Sequence, residues 1–256
     1  MYVTISYLLF RLNLHASCNI DTINQLCYNH YMNYSSPYKA PTLTVDAVIF
    51  QLIGEQLHVL LTKRSDEPFK GDWALPGGYC AEGSTTLEAL AMVTKRKVGL
   101  DLDNDLNYLE QLYTFDTVAR DPRGHAVSVT YVGCGRAIEL VQATQEVAWH
   151  PVDTLPNLAY DHESIIHYAR ERLAAKLTYT NAAKGLLEKK FTLSQLQSTY
   201  EAVMGRLLDK RNFRKKFLSL GLIHETPDMW REGAHRPAKL YAFNNDNLEA
   251  LSRSFD

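Results

Sequence analysis

Between Leu75 and Leu102 the chain runs from a glycine loop directly into a helix with clear start and stop signals. The loop is Pro76-Gly77-Gly78. Glycine lacks a Cβ, so this backbone can take positive φ or let a ligand approach closely. Thr85, with Glu88 three residues on, predicts a capping box. Leu87, Leu90, Ala91 and Val98 recur at helical spacing as the expected buried stripe. Gly99 sits where a helix closes on a left-handed residue.

This frame resembles the box of the Nudix hydrolases. That pattern reads Gly, five residues, Glu, seven residues, then Arg-Glu-apolar-any-Glu-Glu-any-Gly-apolar. Gly78, Gly99 and Leu100 keep the frame. The first Glu position holds Ser84, the Arg-Glu pair is Met92-Val93, and the Glu-Glu pair is Arg96-Lys97. Positions 93, 96 and 97 share a helix face. In active members the resemblance implies carboxylates there for Mg²⁺, a hard cation that takes oxygen ligands. Two cations now repel such an ion, at about 4 kcal/mol per unit-charge pair at 4 Å and a dielectric of roughly 20. No catalytic residue, metal ligand or cofactor is therefore expected. Mg²⁺ enters only under the alternative, a pyrophosphohydrolase of ADP-ribose-like substrates using relocated carboxylates such as Glu82 and Glu88. The plainer reading has Glu88 capping and Glu82 solvated. A cationic face could instead bind a pyrophosphate directly.

The lead-in to the box is also similar to Nudix proteins. Arg64 precedes a loop and suits phosphate, and Trp73 precedes the box, as a cleft residue or as core. The turn Arg120-Asp121-Pro122-Arg123-Gly124 resembles one in ADP-ribose-type members. Arg120 and Arg123 suit an anion, or simply decorate a charged turn. The candidate ligand residues are Arg64, Trp73, Gly77, Gly78, Arg96, Lys97, Arg120 and Arg123. Strands are expected at 43–50, 57–64, 108–115, 127–136 and 146–149. A helix capped by Asp161 follows, with Ile165, Ile166, Ala169 and Leu173 inward.

Charge divides the chain. Residues 178–256 carry 13 Lys/Arg against 9 Asp/Glu, and the rest 14 against 20, so a basic module follows an acidic body. Thr192 and Gln195 predict a second capping box, with Leu196, Tyr200 and Val203 inward and Gly205 as the stop. A helix over Asp209–Leu220 turns Phe213, Phe217 and Leu220 inward and Lys210, Arg211, Arg214 and Lys215 outward. A strand at 222–225, a polar loop at 228–236 and a strand at 238–243 complete the order of a winged helix-turn-helix. Arg231, Arg236 and Lys239 lie on the wing around Gly233. A basic helix alone can be a solvated face. Joined to a capped partner helix and a basic wing, it fits DNA phosphates and base edges.

Together the halves resemble the NrtR-type regulators over roughly residues 41–245. The implied fold class is α/β: a Nudix-type α/β/α sandwich with a C-terminal winged helix-turn-helix. The expected limits are 1–40 irregular extension, 41–177 ligand-sensing domain and 178–256 DNA-binding domain. The resemblance implies a homodimeric regulator of NAD-metabolism genes, a repressor that binds operator DNA and answers to ADP-ribose or a related metabolite. A protein-interaction scaffold is the third reading. Cys18, Cys27, Cys80 and Cys134 include no CxxC, so neither a zinc site nor a disulfide framework is indicated, and a cytoplasmic setting fits. The apolar stretch 1–14 carries Arg11 and is too short to span a bilayer. Met32 is a candidate start.

Overall fold

The structure, a computed structural model, describes residues 39–140, 143–231, 237–245 and 247–250. Expectations for residues 1–38, including Cys18, Cys27 and Met32, lie outside these. So do those for Gly233 and Arg236. The described residues from Pro41 onward form one compact unit.

Its centre is β1 (Thr42–Ile53), whose run Val45–Gln51 is buried throughout. β2 (Gln56–Lys63), β3 (Trp73–Ala74), β4 (Gly77–Tyr79), β5 (Leu106–Phe115), β6 (Ala126–Gly135) and β7 (Val147–Pro151) complete a seven-stranded sheet. The main path runs β3-β2-β1-β6-β5, with β4 paired to β1 and β7 to β2. The β1–β6 pair is parallel and the other pairs are antiparallel. Side chains alternate across a strand. Val45, Ala47, Ile49 and Leu60 accordingly pack with α1 (Thr86–Val98), through Leu90 and Val98. Val48, Phe50, Val59 and Leu61 pack on the other face with α3 (His162–Tyr179). A one-turn α2 (Leu102–Asp105) leads into β5.

α1 starts and stops as its sequence predicts. Thr85 and Glu88 form the capping box, and Gly99 is left-handed at φ 72°. The stripe is shifted from the expected one. Leu87 is 48% exposed, and Ala89, Leu90, Val93, Thr94 and Val98 are buried. Thr86 bonds the Tyr131 hydroxyl at 2.8 Å one turn before Leu90. At α3, Asp161 holds the capping position but makes no side-chain cap bond, because Arg120 takes its carboxylate. The inward residues Ile165, Ile166, Ala169 and Leu173 are as expected.

The second face of the sheet does not end at α3. α4 (Leu193–Met204) and α5 (Lys210–Ser219) join the same hydrophobic cluster through Leu196, Tyr200, Val203, Phe213 and Phe217. The Tyr200 ring meets Phe213 and Phe217 edge-on at 5.3 and 5.6 Å, and its hydroxyl donates to the Leu177 carbonyl at 3.2 Å. Arg170 of α3 donates to the Val203 and Ala202 carbonyls at the end of α4 and to Asp153. The limit drawn at 177/178 thus falls inside α3, which runs to Tyr179. A short 3₁₀ turn, Ala182–Gly185, leads onward.

β8 (Ile223–Trp230) and β9 (Ala238–Phe243) form the wing. β8 is longer than expected. Asp228, Met229 and Trp230 belong to the strand rather than to a loop, because the ladder resumes after an irregularity between Glu225 and Met229. Pro227 lies in that interruption, where a missing N–H is tolerated. Phe191 bridges Tyr241 through two backbone bonds of 2.9 and 2.8 Å, which adds a short third edge.

Candidate functional site: a cationic cleft and a winged helix

The expected glycine loop is strand β4 from Gly77 on, and one cleft gathers it with the end of α1, the β5–β6 loop and the start of α3. Seven of the eight expected ligand residues line it: Arg64, Gly77, Gly78, Arg96, Lys97, Arg120 and Arg123. Trp73 does not. Its neighbour Ala74 lines the cleft, so strand alternation turns the indole away. The ring packs edge-on to His150 at 4.5 Å with Lys63 Nζ 5.7 Å above it, the core reading.

The glycines serve close approach. Neither Gly77 nor Gly78 has positive φ. A Cβ on Gly77 would stand 2.0 Å from Asp46 Oδ1, and one on Gly78 would stand 3.1 Å from Val93. Val93, at a carboxylate position of the box, has become the apolar wall behind the loop. Lys97 Nζ donates to the Gly77 carbonyl at 2.7 Å. Burial pushes its ammonium below the ordinary lysine value, and Arg96 beside it adds to the shift. Arg96 is exposed. These residues do not fit a divalent cation. The oxygen donors of the box are replaced by a hydroxyl, a valine and two cations. Among the described residues no three His, Cys, Asp or Glu side chains are grouped to hold a metal.

Asp46, Arg120, Asp161 and His162 form a buried polar floor that went unforeseen. Arg120 Nε and Nη2 reach the two oxygens of Asp161 at 3.0 and 2.7 Å, and Nη2 lies 3.8 Å from Asp46. Ser128 donates to Asp46 at 2.5 Å. His162 Nδ1 accepts the Leu75 N–H at 2.9 Å, so that nitrogen carries no proton and Nε2–H faces Asp46 at 3.9 Å. Burial pushes His162 below its ordinary value. A carboxylate inside Val45-Asp46-Ala47-Val48-Ile49 was the one available sequence signal. Arg123 pairs with Asp121, and Arg64 donates to the Pro68 and Asp66 carbonyls.

The second candidate surface is α5 with the wing. Lys210, Arg211 and Lys215 are exposed. Arg214 is partly buried, donates to Ser194 at 3.0 Å, and keeps a buried Nε without a hydrogen-bond acceptor among the described residues. Lys239 is exposed as well. It pairs with Glu225 at 2.6 Å across the ladder. Glu201 accepts the Leu208 N–H and the Gln197 amide, which staples the turn between α4 and α5.

Comparison with known proteins places both parts. The NUDIX domain model matches residues 42–169 and the NrtR DNA-binding winged helix domain model matches 183–243. An ADPR responsive transcriptional repressor, NtrR, of Acinetobacter baylyi is 36% identical over 214 residues, which is 81% of this chain and 84% of that protein. The chain belongs to the NrtR family. Within the family, NrtR of Shewanella oneidensis in complex with a 27mer DNA superposes with a TM-score of 0.69 at 32% identity, covering 84% of this chain and 99% of that one. The NUDIX domain of the same NrtR with ADP ribose is 37% identical, with a TM-score of 0.50, over 57% of this chain and 97% of that one. Outside it, an ADP-ribose pyrophosphatase of Methanocaldococcus jannaschii is 33% identical over 132 residues, 50% of this chain and 73% of that protein. The chain is thus a DNA-binding regulator with a Nudix domain, and no helix among its described residues is long and apolar enough to cross a membrane.

Proposed function

We propose that this regulator represses transcription as a cytoplasmic homodimer, binding operator DNA through α5 and the wing, and that ADP-ribose in the cationic cleft governs release. ADP-ribose arises when NAD loses nicotinamide, so the controlled genes are those of NAD metabolism. The observation that carries the reading is Lys97 Nζ seated on the Gly77 carbonyl. A side-chain cation occupies a place where the Nudix box offers a carboxylate, so the cleft suits a pyrophosphate without the metal that hydrolysis needs. Similarity to a DNA-bound and an ADP-ribose-bound family member supports both ligands.

The geometry also supplies a route between the two sites. Arg120 holds Asp161 at the start of α3, and Arg170 of the same helix holds the end of α4. An anion drawing on Arg120 loosens the first contact and, through one rigid helix, disturbs the second. The test is a mobility shift on the gene's own upstream DNA, in EDTA, with and without ADP-ribose. Binding without effector and release with it is the expected result. Failure to bind promoter DNA at low salt would overturn the reading.

A further inference from the structure

The mouth of the cleft holds an aromatic surface that pyrophosphate recognition does not use. Tyr79 ends β4 and is 60% exposed, though it lines the cleft. Its backbone is fixed. Tyr79 pairs with Thr44 in the sheet, and the next N–H, of Cys80, donates to the Leu43 carbonyl at 3.0 Å. Residues i and i+2 of a strand face the same side, so the Tyr79 side chain shares with Gly77 the face that looks onto Asp46.

The other ring at this mouth is already covered. Tyr160 takes φ 57°, a left-handed conformation that costs a residue with a Cβ about 1–2 kcal/mol. The Arg64 guanidinium lies 5.0 Å over its ring and Phe69 meets it edge-on at 4.9 Å. The Arg123 guanidinium, oriented by Asp121, lies 5.9 Å from both the Tyr160 and the Tyr79 centroids. Tyr79 therefore stands on a rigid edge, flanked by a planar cation, with most of its surface open.

We propose that Tyr79, flanked by Arg123, is the stacking platform for the base of the effector, which makes the effector a nucleotide rather than a base-free sugar phosphate. This rests on the cleft being the pyrophosphate site. Aromatic rings and guanidinium planes stack on the π-face of any base.

Calorimetry in EDTA with ADP-ribose, ribose 5-phosphate and inorganic pyrophosphate, on wild type, Tyr79→Ala and Tyr79→Phe, is the test. Tyr79→Ala should weaken ADP-ribose about tenfold or more, and Tyr79→Phe should retain it. Both variants should bind the two base-free anions as wild type does. Unchanged ADP-ribose affinity in Tyr79→Ala overturns the platform alone. An equal loss for all three ligands also overturns it, because the residue would then be structural. A wild type that binds none of the three overturns the cleft reading beneath it.

Discussion

Lys97 Nζ lies 2.7 Å from the carbonyl oxygen of Gly77, so the end of α1 and the glycine loop are joined by the side chain that replaces a carboxylate of the Nudix box. No Mg²⁺-dependent hydrolysis of ADP-ribose is expected from such a site. AMP release at about 1 s⁻¹ or faster, a normal enzyme rate, would contradict this. A triple change, Ser84→Glu, Arg96→Glu and Lys97→Glu, should raise affinity for Mn²⁺ as read by calorimetry, without necessarily restoring turnover.

Effector affinity should also depend on pH through Lys97. Its folded value lies below the ordinary 10.5 because of burial. A bound pyrophosphate favours the charged form, so affinity falls as pH rises through the depressed value. The fall should begin below 10.5 and disappear in Lys97→Arg, which stays charged. Binding isotherms from neutral to alkaline pH provide the comparison.

Arg120 and Asp161 are a nearly buried bidentate pair, with side chains 5% and 23% exposed. Removing Arg120 leaves Asp46 and Asp161 without the cation they share. Arg120→Ala should lower stability by about 3 kcal/mol and weaken ADP-ribose. Asp161→Asn should have a smaller effect, since Asp46 still faces Arg120 at 3.8 Å. Urea unfolding of the two variants against wild type tests the order.

His162 gives a stability change on acidification. Its folded value is depressed, so the unfolded chain binds the proton first. Stability is therefore fully present above the ordinary 6.5 and is lost as pH falls below it, at up to about 1.4 kcal/mol per pH unit until the folded value is reached. His162→Asn can still accept the Leu75 N–H and does not titrate. Its urea midpoint should vary less between pH 7 and 5 than that of wild type.

On DNA, Arg211 is exposed near the start of α5 and Lys239 is tied to Glu225. Arg211→Ala should lose about 1–3 kcal/mol of discrimination at one base position. Lys215→Ala should weaken all sequences alike and flatten the salt dependence by about one unit. Lys239→Ala should do less than Lys215→Ala, because its charge is already paired. Arg236 lies outside the described residues. Half-sites should lie about 10 bp apart or a multiple of it, as an inverted repeat. Mobility shifts over a salt series separate these outcomes.

What could be read from the chain was local. Both capping boxes and the Gly99 and Gly205 stops depend on residues within a turn of each other, and they form as their spacing predicts. Strand β9 and the inward Phe213 and Phe217 follow the same periodicities. The loss of the metal carboxylates at Ser84, Val93, Arg96 and Lys97 was legible too, because a fixed frame identifies those positions without a structure. Trp73 shows the limit of that approach. Its position beside the box left both cleft and core open, and strand pairing with Lys63 decides for the core by putting Ala74 on the cleft side.

The rest required tertiary structure. Asp46, Arg120 and His162 are 74 and 42 residues apart in turn, and only the sheet and the start of α3 bring their charges onto one floor. Tyr79 carried no expectation from the sequence, and pairing with Thr44 sets it in the strand that lines the cleft. The limit expected between the two domains was drawn from a change in charge. One hydrophobic cluster runs from β1 through α3 into α4 and α5, because the second sheet face is apolar and needs cover. Sequence determines where helices begin and end and which charges they carry, since those are short-range interactions along the chain. Which charges neutralise one another, which ring is left open, and whether one site can act on the other are decided by contacts between distant segments, which no local pattern encodes.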